Sequence, residues 1–314
     1  MTAEEFLSTH GYGAARRLPL PGDASARRYE RLEGGPEPAL LMLAPPPEDP
    51  QPFIRIARHM AAHGLTVPRI LAEAPGMLIV QDLGPCTMAE ALDRGADPLP
   101  LYLAAAEALA RWHAVPPPAG LPRWGVEEMT QAAAATFLEW WWPAAFGTPP
   151  EGAIRAAFTE AMAEMLTPFA EAGTLVHRDF FPANLIPAAG RIGIIDFQDA
   201  ALGHPAYDLV SLIEDARRAV PEAIRRAVLT RYAEARGLSA DDLAPALAAF
   251  GAQRHLRVAA LWVRLARRDG KPAYLRHGPR CWALLEGALA HPAAAPLRRF
   301  LDRYVPPGLR GNPA

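Results

Sequence analysis

The chain has 314 residues, about half of them apolar, and a formal net charge of -2. That length suits one large two-lobed domain or two modest ones, and the charge gives no field that points to nucleic acid or an acidic membrane, so the expected partner is a small molecule; a monomer is expected, though neither length nor charge fixes the oligomeric state. Cys86 and Cys281 lie far apart without CxxC spacing or neighbouring histidines, the opening MTAEEFLSTHGYG is acidic and polar, and no apolar run approaches the ~18 residues of a membrane span; disulfides, a zinc site, secretion and membrane insertion are all disfavoured, and a reducing cytoplasm fits.

Within the first 80 residues, short apolar runs at 39–43 and 77–80 are bounded by Gly and Pro and predict strands, with one helix at 53–63 between them. Gln81-Asp82-Leu83-Gly84-Pro85 predicts a strand end followed by two breakers. We place the linker there, between a nucleotide-binding lobe at 1–82 and a catalytic and substrate-binding lobe at 83–314. From Thr87 onward the pattern is helical, with 3.6-residue periodicity at 101–113, 221–236 and 243–268. Prolines at 45–47 and 116–118 mark loops, and 306–314 predicts a loose tail. Lys271 is the only lysine of the chain, so arginine is the cation available to any role before it.

The strongest motif is Val176-His177-Arg178-Asp179-Phe180-Phe181-Pro182-Ala183-Asn184, followed by an apolar run that ends at Asp196. Phosphoryl transfer needs a carboxylate to accept or orient the acceptor hydroxyl's proton, and oxygen ligands to hold Mg²⁺ against the nucleotide phosphates. Asp179, Asn184 and Asp196 supply those groups. The plainer alternative is that Asp179 and Asn184 cap turns around Pro182.

These residues resemble the aminoglycoside phosphotransferase family over nearly the whole chain. The resemblance implies an α+β, protein-kinase-like two-lobed fold, with a small β-rich N-lobe and a mainly helical C-lobe. It further implies Asp179 as the catalytic residue, Asn184 and Asp196 as metal ligands, and ATP, or GTP, with Mg²⁺ as cofactors. His177 resembles the histidine that braces the catalytic loop, and Asp208 either buttresses that loop or caps a helix. Gly22, Asp23, Ala24 and Ser25 read by themselves as a turn joining two strands; the resemblance places the phosphate-covering loop there. Gln81, Asp82 and Leu83 fall where linker backbone groups take the nucleotide base.

One departure stands out. The strand expected to carry a lysine reads Leu40-Leu41-Met42-Leu43, and helix 53–63 has no glutamate, so the Lys–Glu pair of the kinase pattern is impossible. An arginine among Arg28, Arg55 and Arg58 is the expected substitute. Arg28 is the first choice, and of Arg27 and Arg28 only one can face the cleft.

Several separated segments, including the proline run at 45–47, Asp196-Phe197-Gln198-Asp199 and Gln253-Arg254-His255-Leu256-Arg257, are similar to the bacterial anomeric kinases of N-acetylmuramate and N-acetylglucosamine. Glu139, Trp140, Gln198, Asp199 and Arg254 are candidates for the sugar's pocket, and Arg254 or Arg267 for a carboxylate on it. The tryptophans read equally well as core and the arginines as a solvated helix face. Rival readings are a kinase of an aminoglycoside, choline or homoserine, and an inactive nucleotide-binding module.

Overall fold

A computed structural model describes every residue except 22–25, 171, 172, 189 and 314. The expected turn at Gly22 to Ser25 therefore lies outside the described residues. The chain forms two compact units, Met1–Pro118 with Phe181–Ala200 and Ala119–Phe180 with Ala201–Ala314. In chain order the first unit opens with α1 (Ala3–Thr9), β1 (Arg16–Pro19), β2 (Arg28–Glu33), β3 (Ala39–Leu43), α2 (Gln51–Ala62), β4 (Ile70–Ala74), β5 (Met77–Gln81), α3 (Met88–Asp93) and α4 (Pro98–Ala114). The second begins with α5 (Val126–Thr136), α6 (Trp142–Phe146), α7 (Gly152–Leu166) and β6 (Thr174–Val176). The hairpin β7 (Leu185–Ala188) and β8 (Arg191–Ile194) returns to the first unit. The second is completed by β9 (Ala201–Gly203), α8 (Ala206–Ile213), α9 (Glu222–Arg236), α10 (Ala240–Arg268), α11 (Gly278–Leu289) and α12 (Ala295–Tyr304).

In the first unit the strands form one antiparallel sheet in the order β1-β2-β3-β5-β4. The inner strands β3 and β5 are apolar on both faces, with Leu41, Met42, Leu78, Ile79 and Val80 all buried, as expected of strands covered on two sides. On one face Leu41 and Ile79 pack with Phe6 and Leu7 of α1, whose start is fixed by a capping box between Thr2 and Glu5. Helix α2 presents Phe53, Ile56, Ala57 and Met60 as a buried stripe. Hairpin β7/β8 is tied into this unit by the Ile194 N–H, which donates to the Thr66 carbonyl at 2.9 Å.

The second unit is built around α10, whose buried residues run from Leu243 to Leu265 among α5, α7, α8 and α11. Strands β6 and β9 pair antiparallel beside Trp124, and only glycine fits at 203, where a Cβ would lie 2.9 Å from Val176 and 3.1 Å from the Trp124 carbonyl. Trp141 and Trp142 are core residues, Trp141 stacked on Phe137 at 4.9 Å. The tail departs from expectation. Instead of trailing loose, it is docked: the Trp141 indole N–H donates to the Gly311 carbonyl at 2.8 Å, Asn312 donates to the Leu275 carbonyl at 2.6 Å, and Arg310 pairs with Glu286 and Asp302. The sequence signal for disorder, Pro and Gly without periodicity, does not distinguish a free tail from one held by specific hydrogen bonds. Among the described residues no helix is long and apolar enough to cross a membrane.

Candidate active site

The second unit carries Asp179. Strand β6 ends at Val176, and the next two backbone N–H groups, of His177 and Arg178, donate to the two carboxylate oxygens of Asp208 at 2.6 and 2.8 Å. Asp208 is fully buried and lies inside α8, whose N-cap is Pro205. It therefore buttresses the loop and does not cap the helix. Arg178 is held at φ 76°, a strained conformation for a non-glycine residue that such double anchoring sustains. Its guanidinium lies 3.9 Å from the centre of the Trp124 ring. His177 is buried, and its Nδ1 accepts from the Asp179 N–H at 3.3 Å, which makes it a brace.

Around the Asp179 carboxylate the charges are positive. Arg254, with 4 % of its side chain exposed, brings Nη2 to 3.8 Å from Oδ1, while Asp179 itself keeps 46 % of its side chain open. Burial pushes the carboxyl up, but Arg257, Arg254, His177 and Arg178 outweigh it and hold Asp179 below the ordinary carboxylate value. The open face means that solvent screens part of this field. Arg257 also donates to the Tyr207 hydroxyl at 3.2 Å. Behind these, Glu214 accepts from His255 Nε2 at 2.6 Å and pairs with Arg225.

The first unit carries Asn184 and Asp196, at the two ends of hairpin β7/β8. The Ile195 N–H donates to the Asn184 carbonyl at 3.1 Å, so the backbone that leads into Asp196 is tied to Asn184. Asp196 sits at φ 62°, like Arg178 a non-glycine residue in the left-handed region. The following Phe197 is buried and stacks on Phe53 of α2 at 4.8 Å. Gln198 Nε2 donates to Asp196 at 3.0 Å and to Asp199 at 3.2 Å. Among the described residues no three His, Cys, Asp or Glu side chains converge as a ready metal cage. Asn184 and Asp196 each offer a side-chain oxygen of the kind that a hard cation such as Mg²⁺ takes.

Of the four arginines weighed for the missing lysine's role, Arg27, Arg28, Arg55 and Arg58, Arg27 is the one turned toward Asp196. Its side chain is only 9 % exposed, with Nε 3.3 Å from Glu48 and Nη2 4.0 Å from Asp196. Glu48 also accepts from the Ala26 N–H at 3.2 Å. Arg28 and Arg55 are exposed, and Arg58 pairs with Glu73 at 3.0 Å. After β5, Gln81 accepts from Arg69, Asp82 accepts from Arg31 at 2.6 Å, and Arg31 also reaches the Gly84 carbonyl at 3.1 Å. The Leu83 side chain closes over Gly193, where a Cβ would lie 2.7 Å from it. The Leu83 N–H has no hydrogen-bond partner among the described residues.

Residues 17–245 match the sequence profile of the phosphotransferase enzyme family. The chain belongs to that family. This phosphotransferase is 36 % identical to the N-acetylmuramate/N-acetylglucosamine kinase of Caulobacter vibrioides, over 96 % of this chain and 95 % of that one. It is 35 % identical to the protein of the same name from Pseudomonas aeruginosa, over 95 % and 92 %. Among solved structures, a choline/ethanolamine kinase family protein from Mesorhizobium loti matches with a TM-score of 0.62 at 14 % identity, over 91 % and 92 % of the two chains. A mutant of aminoglycoside phosphotransferase APH(4)-Ia with ADP and hygromycin B matches at 0.61 and 18 %, over 91 % and 98 %. The fold is thus the protein-kinase-like α+β one.

The remaining candidates of the phosphotransferase divide. Gln198 and Asp199 gather at Asp196, and Arg254 at Asp179. Glu139 is exposed and pairs with Arg155, Trp140 is half-buried, and Arg267 is exposed. Sequence reasoning passed over Glu48 and the bond that Gln198 makes to Asp196. The acid that follows the proline run at 45–47 was the available signal for Glu48.

Proposed function

We propose that this phosphotransferase transfers the γ-phosphate of ATP to the anomeric hydroxyl of N-acetylmuramate or N-acetylglucosamine in the cytoplasm, with residues 1–82 as its nucleotide lobe and 83–314 as its catalytic lobe. The observation that carries the reading is the match, over nearly the full length of both chains, to two kinases named for those sugars. The site is consistent with it. A hemiacetal hydroxyl is a stronger acid than an ordinary sugar hydroxyl, and an Asp179 held below the usual carboxylate value is a weak base, suited to orienting a proton that leaves readily. The arginines around Asp179 would repel a cationic aminoglycoside or choline, which weighs against those acceptors.

In this reading Asn184 and Asp196 hold Mg²⁺, which when bound neutralises phosphate charge. Gln198 orients the Asp196 carboxylate, and the Leu83 N–H donates to the nucleotide base. Arg27, aligned by Glu48, supplies the cation that the missing lysine would have supplied. Coupled ADP release over amino sugars, aminoglycosides and choline tests the proposal. We expect turnover on the two N-acetyl sugars, lowered roughly 10²- to 10⁴-fold by Asp179→Asn with nucleotide binding retained. Turnover on choline or aminoglycosides alone refutes it.

A further inference from the structure

The arginines of α10 continue past Asp179. Residues seven apart return to nearly the same face of a helix, so Arg264 stands two turns, about 10 Å, beyond Arg257 on the face that meets Asp179. Arg264 is partly buried, and its Nε is closed off from solvent without a hydrogen-bond partner among the described residues, as is the Nε of Arg257. The nearby acid, Asp269, is engaged by both ends of the Arg268 guanidinium at 2.7 and 3.0 Å. Arg264 is thus a partly desolvated cation facing like charges. Burial, then Arg268 and Arg257, push its pKa down, against Asp269 alone. Such a group is costly to keep unless an anion completes it.

We propose that Arg264, assisted by Arg257, forms a carboxylate-reading subsite that selects an acidic sugar as acceptor. This rests on the sugar-kinase reading above and adds to it the residue that distinguishes the two named sugars, which differ by a carboxylate-bearing lactyl ether. Phosphorylation takes place at one end of the sugar, beside Asp179, and the carboxylate reaches the guanidinium farther along the helix. The planar fork of arginine supplies paired donors to such a group, which lysine does not.

The test is the ratio of kcat/KM for N-acetylmuramate to that for N-acetylglucosamine in the full chain. Arg264→Gln is expected to lower the ratio about 10- to 100-fold, chiefly through the KM for the acidic sugar, as befits loss of a charge-assisted hydrogen bond. Arg264→Lys, which preserves the charge and folds more safely, should lower it by less. Arg299→Gln, on the surface and paired with Glu164, should leave the ratio alone. An unchanged ratio in both Arg264 variants, even with both rates reduced, overturns the proposal. A wild-type protein that uses only the neutral sugar overturns it while leaving the sugar-kinase reading intact, whereas turnover of neither sugar removes both.

Discussion

Arg27 and Arg28 are neighbours with opposite surroundings. Arg28 begins β2 and is exposed, while Arg27, just before the strand, is nearly enclosed between Glu48 and Asp196. Alternation along an extended chain fixed that only one of them could turn inward, but not which. The deciding partner, Glu48, lies two strands and a proline run farther along the chain, where no periodicity connects it to residue 27. By contrast Asp179, Asn184 and Asp196 stand out in the sequence as candidates because their chemistry is concentrated within one short stretch of chain. If Arg27 meets the phosphates, Arg27→Ala raises the KM for ATP about 10- to 100-fold, the loss of a hydrogen bond to a charged group, and leaves adenosine affinity unaltered. Arg28→Ala is nearly silent. Equal weakening of ATP and adenosine, read by calorimetry, would instead make Arg27 a support of the fold.

At the level of elements, α8 and α10 are joined where Glu214, just past the end of α8, meets His255 of α10 and Arg225 of α9. Burial raises the Glu214 carboxyl, but the hydrogen bond from His255, with Arg225 and Arg254, brings it below its ordinary value of 4.5; burial pushes His255 itself down, so at pH 7 it is a neutral donor. A carboxyl depressed in the folded state stabilises above its unfolded pKa, and that contribution is lost as pH falls through the folded one. Glu214→Gln should therefore cost about 1–3 kcal/mol at pH 7, with the gap in melting temperature to the wild type closing as pH drops below 4.5. A constant gap would mean that the residue acts through packing. The long helices were legible from periodicity: 53–63, 101–113, 221–236 and 243–268 correspond to α2, α4, α9 and α10. The pairs β6/β9 and β7/β8 were not, because three- and four-residue strands are too short to display a period, and their partners are set by Asp208, Asn184 and Thr66 from outside the strands.

Over the whole molecule, the ends of the chain are structural parts. Removing residues 306–314 strips the Trp141 indole of its acceptor at Gly311 and Glu286 and Asp302 of Arg310. Thermal unfolding should register a loss of about 1–3 kcal/mol for the stranded buried donor; an unshifted melting point would show that the tail contributes nothing. The path between the units also matters. The chain leaves the first unit at Pro118 and re-enters it only for Phe181–Ala200. Those late residues bring the Ile194 N–H to Thr66 and the Phe197 ring to Phe53. On the ribosome, at ~5–20 residues per second, the nascent first unit must therefore wait on the order of seconds, its five-stranded sheet already synthesised and Phe53 still uncovered, until the residues that bear Asn184 and Asp196 emerge to finish it.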